Sequence, residues 1–381
     1  MSDCNIQLAH KARILEKTRR IVVKVGSSVL SDGDGVYAPR VRQLATTLST
    51  LRQAEVVLVT SGAVAAGMGA LNMKQRPRTI PAKQAAAAIG QITLMALYEE
   101  CFSRHAIRVA QILLTHDDLA NRRRYLNAKH TLLTLIESGV VPIVNENDTV
   151  AVEEIQFGDN DNLSAQVAVL VEADLLIILS DVAGLYETDP RLDRHAKRIA
   201  LVERFDEQLI QRCGQAGPLG RGGMTSKIEA AQKAALSGIP SLLIDGRSNE
   251  ELSAAFDPQR EAGTLFLPVS DRIASRKHWI AYTLKPAGSL RLDAGAAAAI
   301  RRDGRSLLPA GVRGVYGSFE EGDCVTCLDD GGDEFARGLV NYSAVALRQI
   351  QGVHTSQIEQ TLGYKVGDEV IHRDDLALLQ D

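Results

Sequence analysis

Lys24 interrupts an apolar run, Ile21-Val22-Val23-Lys24-Val25, and is followed by Gly26-Ser27-Ser28. A lysine there either snorkels from an edge strand or is a buried charge that needs a counter-charge. The glycine after it sits where a strand would feed a helix, a turn that aims backbone N–H groups outward and favours an anion. The same arrangement recurs where Thr60 is followed by Ser61-Gly62 and a small-residue helical segment. A third segment, Gly214 to Lys227, has five glycines within residues 214–223 and brings Thr225, Ser226 and Lys227 to a helix start. A cation at that end of a helix opposes the dipole unless an anion is held nearby. Such a loop suits the terminal phosphates of a nucleotide, against the plainer reading of a surface linker. The polar block over 145–162 supplies Asn145, Glu146, Asn147, Asp148, Glu153, Glu154, Asp159, Asn160, Asp161 and Asn162. Helix capping would use one residue of the last four and leave the others unexplained. The D-x-[DN]-x-[DN]-G spacing of a calcium loop is absent, as are G-x-x-x-x-G-K-[ST] and a G-x-G-x-x-G after the first strand.

These residues need a scaffold that gathers them. Short β-branched runs at Ile21–Val25, Val56–Thr60, Val109–Leu114, Val140–Val144, Leu175–Ser180 and Ser241–Ile244 alternate with helical spacing. The helical segments are Val41–Leu51, Gln84–Phe102, Tyr125–Ile136, Leu163–Val171 and Ile228–Leu236. Strands apolar on both faces predict an α/β fold, a mainly parallel sheet sandwiched by helices, with its ligand beyond the carboxyl ends of the strands. Those ends carry Lys24, Ser61-Gly62, the Asn145–Asp148 turn and Ser180-Asp181. Near Lys285-Pro286 the pattern changes to short alternating strands punctuated by glycine, which predicts a small, mostly β C-terminal domain with a helix at Ala344–Ile350. Residues 262–285 read as a connector, and residues 1 to 19 as a polar lead-in. The domains are expected over residues 20–270 and 286–370.

The chain has 381 residues, a net charge of −4 and 45% apolar residues, which fits two globular domains and excludes a protein built mainly to coat nucleic acid or an anionic membrane. Five scattered cysteines do not form a disulfide framework, and Cys324 and Cys327 read as half-buried strand residues. The N-terminus lacks the apolar core of a signal peptide, and Val56 to Met73 reads as strand, turn and helix instead of a membrane span. A cytoplasmic protein is expected.

Several motifs together resemble the glutamate 5-kinases of the amino acid kinase superfamily. They are VVKVGSSVL at 22–30, VTSGAVAAG at 59–67, VPIVNENDTVA at 141–151, GDNDNLSA at 158–165, SDVAGLYETDPR at 180–191 and RGGMTSKIEAA at 221–231. SLLPAGV at 306–312 and HRDDL at 372–376 extend the resemblance into a PUA-like C-terminal domain. Arg221 departs from the Thr expected there. The resemblance implies phosphoryl transfer from ATP to the γ-carboxylate of L-glutamate, the first step of proline synthesis. It implies Lys24, Lys227 and Asp161 as catalytic residues, with Asp161 pairing both lysines. It implies Ser61, Asp148, Asn160 and Asn145 as glutamate contacts. Lys24, Ser180, Asp181, Arg221, Gly222, Gly223, Met224, Thr225, Ser226 and Lys227 form the implied ATP site. Mg²⁺ would bridge the phosphates and keep its waters, with no dedicated protein metal site. A homo-oligomer, proline as feedback inhibitor and docking of the downstream glutamyl phosphate reductase are further implied partners. The rivals are an amino acid kinase with another acyl substrate and an RNA-binding or RNA-modifying protein. Against the latter, residues 286–381 carry nine Lys and Arg and fifteen Asp and Glu, which forgoes the charge term that dominates nucleic-acid affinity.

Overall fold

The computed structural model describes residues 3–31, 35–51, 54–150, 160–190, 192–193, 195–205, 223–269, 277, 280–281 and 284–379. Two units form, Met1–Ala120 with Ala128–Val269, and Asn121–Asn127 with Ser270–Asp381.

The first unit is organised by apolar strands: β1 (Arg20–Val25), β2 (Glu55–Thr60), β3 (Arg108–Leu114), β4 (Val140–Glu146), β5 (Leu175–Ser180), β6 (Leu185–Tyr186), β7 (Arg198–Ile199), β8 (Leu201–Val202), β9 (Ser241–Asp245) and β10 (Thr264–Phe266). Its helices are α1 (Asp3–Lys17), α2 (Ser27–Leu30), α3 (Ala38–Ser49), α4 (Ala63–Ala70), α5 (Ile80–Ser103), α6 (His116–Ala120), α7 (Arg122–Glu137, which begins among the residues grouped with the second unit), α8 (Asn160–Leu170), α9 (Met224–Leu236) and α10 (Asn249–Ala255). The eight-stranded sheet has the order β3-β4-β2-β1-β5-β9-β10-β8. Its first six strands are mutually parallel, as the two-sided apolar runs predict, and β10 turns antiparallel to β9. Every residue of β5 is buried, and all of β1 beyond Arg20. Lys24 stands opposite Val59 of β2 and Ile178 of β5, so it is a central-strand residue and cannot snorkel from an edge.

Two glycines draw α4 and α5 together. A Cβ on Gly67 would lie 1.8 Å from the Ala86 carbonyl oxygen, and one on Gly90 would lie 1.8 Å from that of Ala63. Only hydrogen side chains permit this backbone-to-backbone approach.

The N-terminal residues correct an expectation. In place of a polar lead-in, Asp3–Lys17 form α1, with Gln7 and Lys11 buried. Gln7 Nε2 donates to the carbonyls of Ala200 and Ala262, each at 2.9 Å, and Lys11 Nζ donates to Ala254 O at 2.7 Å and to Arg260 O. The helix was hidden because its inward face satisfies backbone carbonyls with polar side chains, which an apolar-period reading counts as exposed. Burial lowers the Lys11 ammonium to a pKa of about 8, against the pull of Asp257.

The second unit holds β11 (Gly288–Leu292), α11 (Ala294–Asp303), β12 (Val312–Gly317), β13 (Cys324–Leu328), β14 (Glu334–Leu339), α12 (Ala344–Ile350), α13 (Ile358–Leu362) and β15 (Leu376–Leu378). Its sheet runs β12-β11-β13-β14-β15, antiparallel except between β11 and β13. Leu290, Val325, Leu347 and Ile350 belong to its own core. Cys324 and Cys327 are fully buried, in different clusters on β13, instead of half-buried. The stretch read as a connector does more than connect. Thr264–Phe266 complete the first sheet, while Ile280 and Ala281 pack with Cys324, Leu339 and Ala377. Among the described residues no helix is long and apolar enough to cross a membrane.

Candidate active site

The parallel strands β1, β2, β4, β5 and β9 end at one edge of the sheet, at Val25, Thr60, Glu146, Ser180 and Asp245. The chain runs from β1 to β2 on one side and returns to β5 on the other, so the strand order reverses at β1, the place where sheets of this kind bind their ligands. Into that edge project two clusters that share helix α8.

The first cluster is ionic. Lys24 from β1 places Nζ 2.5 Å from Asp161 Oδ1, and Lys227 from α9 places Nζ 3.1 Å from Asp161 Oδ2. Ser226 Oγ donates to the same Oδ2 at 2.6 Å. Asp161 is 1% exposed and Lys24 4%, so this is a buried site where each charge requires its partner. Burial would push the Asp161 carboxyl up, but the ammonium groups of Lys24 and Lys227 outweigh it and hold the pKa at about 2. Burial lowers the Lys24 ammonium, with Asp161 and, more weakly, Asp181 opposing. Two ammonium groups on one carboxylate leave one net positive charge, arranged to receive an anion. Gly223 caps α9, and its carbonyl accepts from Ser226 Oγ at 3.0 Å and from Lys227 Nζ at 3.4 Å. The cation at this helix start therefore faces a carboxylate within the protein. Met224 and Thr225 are the first residues of α9, while Arg221, Gly222, Asp159 and the glycine-rich residues 214–220 lie outside the described residues.

The second cluster is a relay of amides. Gly62 adopts φ +101°, which lets the chain turn from β2 into α4 and leaves Ser61 beside Asn160. Asn160 Nδ2 donates to Ser61 Oγ at 2.8 Å, to Thr60 O at 3.0 Å and to Asn145 Oδ1 at 3.2 Å. Asn145 Nδ2 donates in turn to Gln91 Oε1 of α5 at 2.7 Å. Asn145 and Glu146 prolong β4 instead of opening a turn, so the expected Asn145–Asp148 turn begins later. Asp148 lies just beyond it and lines a cavity of about 230 Å³ with Gln91, Gln111, Glu146 and Asn147. Burial pushes its carboxyl up to about 6, and no cation among the described residues opposes the shift.

Ser180 ends β5 and Asp181 follows it. Ser180 is 1% exposed, its Oγ donates to Asp181 Oδ1 at 3.3 Å, and the Asp181 carbonyl accepts from Arg247. Gln91 is the member of these clusters that the motifs did not bring forward. Its one signal in the sequence is a polar residue within an Ala- and Gly-rich helical segment. Among the described residues no group of three His, Cys, Asp or Glu side chains could hold a metal ion.

The profile of the Amino acid kinase family matches residues 19–245, and that of the PUA domain residues 288–362. The Glutamate 5-kinase of Citrifermentans bemidjiense is 50% identical over 97% of this chain and 100% of its own length. That of Thermoanaerobacter sp. is 49% identical over 95% of this chain and 98% of its own. Among solved structures, isopentenyl phosphate kinase aligns with a TM-score of 0.46 at 14% identity, over 65% of this chain and all of that one.

Proposed function

The chain belongs to the amino acid kinase family, within its glutamate 5-kinase branch, and from that membership we propose that it transfers the γ-phosphoryl group of ATP to the γ-carboxylate of L-glutamate. The product is L-glutamyl 5-phosphate, and the reaction is the first step of proline biosynthesis. The observation that carries the reading is Asp161 held between Lys24 and Lys227 at the carboxyl edge of a parallel sheet.

A glutamate carboxylate has an ordinary pKa of about 4.3 and is ionised at neutral pH, so no general base is needed. The difficulty is charge: an anion must approach a polyphosphate. Lys24 and Lys227 stabilise the charge that develops on the transferring phosphoryl group, and Asp161 fixes both ammonium groups in place before the substrates arrive. Ser61, Asn160 and Asn145 orient glutamate, and Asp148 pairs with its α-ammonium. Ser180, Asp181 and residues 221–227 hold ATP. Mg²⁺ would enter on the phosphate oxygens and neutralise part of their charge. The same reading places the reaction in the cytoplasm, makes the enzyme a homo-oligomer inhibited by proline, and makes the downstream reductase a docking partner that takes the labile acyl phosphate directly.

The test is an ATP-consumption assay with glutamate, N-acetylglutamate and aspartate, with hydroxylamine added to trap an acyl phosphate as its hydroxamate. Glutamate should be turned over best and yield the hydroxamate. Preference for either other acceptor, or ATP consumption without hydroxamate, would overturn the assignment.

A further inference from the structure

Gln91 is 9% exposed, and its amide orientation follows from a donor that cannot be reversed. The backbone N–H of Glu146 donates to Asn145 Oδ1 at 2.9 Å, so that side chain must present its oxygen there. Its nitrogen therefore faces Gln91, at 2.7 Å, and Gln91 must answer with Oε1. That leaves Gln91 Nε2 as the outer end of the relay. It is buried and has no acceptor among the described residues. The other end is fixed the same way: Asn160 Nδ2 donates to the Thr60 carbonyl, which can only accept, so Asn160 Oδ1 is the outer atom. It too is buried without a partner among the described residues. A chain of three amides thus ends in an unused donor on one side and an unused acceptor on the other. Buried polar atoms left this way are uncommon and call for an explanation.

We propose that Gln91 Nε2 donates a hydrogen bond to the α-carboxylate of the amino-acid acceptor, making Gln91 a residue that determines substrate specificity. The inference rests on the reading of glutamate as acceptor. Asp148 and Gln91 line the same cavity, and a ligand whose α-ammonium pairs with Asp148 carries its α-carboxylate on the same carbon. That carboxylate needs a donor in this cavity, and Gln91 offers one with no other use. A neutral donor also suits the place. An arginine or lysine beside Asp148 would pair with it and exclude the substrate ammonium, whereas an amide adds no charge. Asn145 acts behind Gln91 as a positioning residue, because it fixes which end of the Gln91 amide faces the ligand.

The experiment compares L-glutamate with its α-amide, which keeps the γ-carboxylate and the α-ammonium but has no negative α-group. Full-length wild type should prefer glutamate by kcat/KM. Gln91→Glu keeps the acceptor facing Asn145 and puts a carboxylate where the donor stood. It should raise the KM for glutamate by roughly ten- to a hundredfold, lower kcat much less, and leave the KM for ATP in place. Its preference should shift toward the α-amide, which can donate to the new carboxylate. Gln91→Met, which neither donates nor repels, should lose discrimination without reversing it. A purely structural role would weaken both acceptors alike and leave their ratio at the wild-type value. Unchanged discrimination in whichever variant folds overturns the assignment, as does a wild type that never discriminated. A wild type inert toward glutamate overturns the underlying reading as well, and that result is obtained before any variant is made.

Discussion

Asp161 and Asp148 lie in the same half of the molecule and are tuned in opposite directions. Two ammonium groups hold Asp161 ionised, while burial, with no cation among the described residues to oppose it, pushes Asp148 up to about 6. In the proposed reaction the lysines act on charge that grows toward the transition state. Lys24→Ala or Lys227→Ala should therefore lower kcat by about 10²–10³ while moving the glutamate KM far less. Each variant leaves Asp161 one lysine, so the fold should survive, and steady-state kinetics checks the split. A Lys24→Ala enzyme with near-normal kcat would remove that lysine from the chemistry. For Asp148 the sign is reversed. Its folded pKa lies above the ordinary carboxyl value of 3.8, so the stability it contributes is full at low pH and is lost as pH rises through about 6. At pH 7 it stands ionised without a cationic partner among the described residues, which costs on the order of 1–3 kcal/mol. Asp148→Asn should thus raise the melting temperature at pH 7 but not at pH 4, and raise the glutamate KM about ten- to a hundredfold. In the wild type the same KM should climb as pH falls through about 6, and the variant should flatten that slope. A variant less stable at pH 7 with normal kinetics would mean that Asp148 serves the turn and not the ligand.

At the scale of elements, the amide relay depends on how closely α5 lies against α4. Gly90 precedes Gln91, and a methyl group there would overlap the Ala63 carbonyl, with no flexible side chain to give way. Gly90→Ala should therefore cost about 1–3 kcal/mol, the range for overpacking a tight interior, and should displace Gln91 from Asn145. Thermal denaturation measures the first effect. The second appears as a glutamate KM that rises more than the ATP KM, since the ionic cluster is built from β1, α8 and α9. Equal changes in both constants would show that the helix contact matters for stability alone. Helix α1 makes a related point about elements. It is anchored by one lysine and one glutamine on carbonyl oxygens, with Ile14 and Leu15 packed against the core, so a segment of polar composition becomes part of the fold through hydrogen bonds as well as apolar area.

For the whole molecule, the proposed site draws only on residues before Val269, and each unit has its own buried cluster. A chain ending at Val269 should fold, bind glutamate and ATP with KM values near those of the full chain, and retain turnover. A stop at Pro286 is the poorer cut, because it would leave Ile280 and Ala281 without Cys324, Leu339 and Ala377. Circular dichroism and the ATP-consumption assay decide this. A folded but inactive chain at saturating substrates would place an essential residue in the second unit.

The residue types, the apolar runs and the glycine turns are local properties, and what depends on them can be read along the chain. Six parallel strands, the helices between them, Lys24 as a charged residue inside an apolar run, and the polar ends of β2 and β5 were all legible, because β-branched runs and turn chemistry act within a few residues. Pairing Lys227 with Asp161 across 66 residues came from resemblance and not from spacing. Tertiary structure alone decided that Lys24 is central instead of at an edge, that α1 belongs to the fold, and that Gln91 meets Asn145 across 54 residues. It also decided which end of each amide is left over. A side chain's partners depend on strand order and on how closely helices approach. Those follow from packing the whole apolar surface at once, and no window of sequence contains that surface.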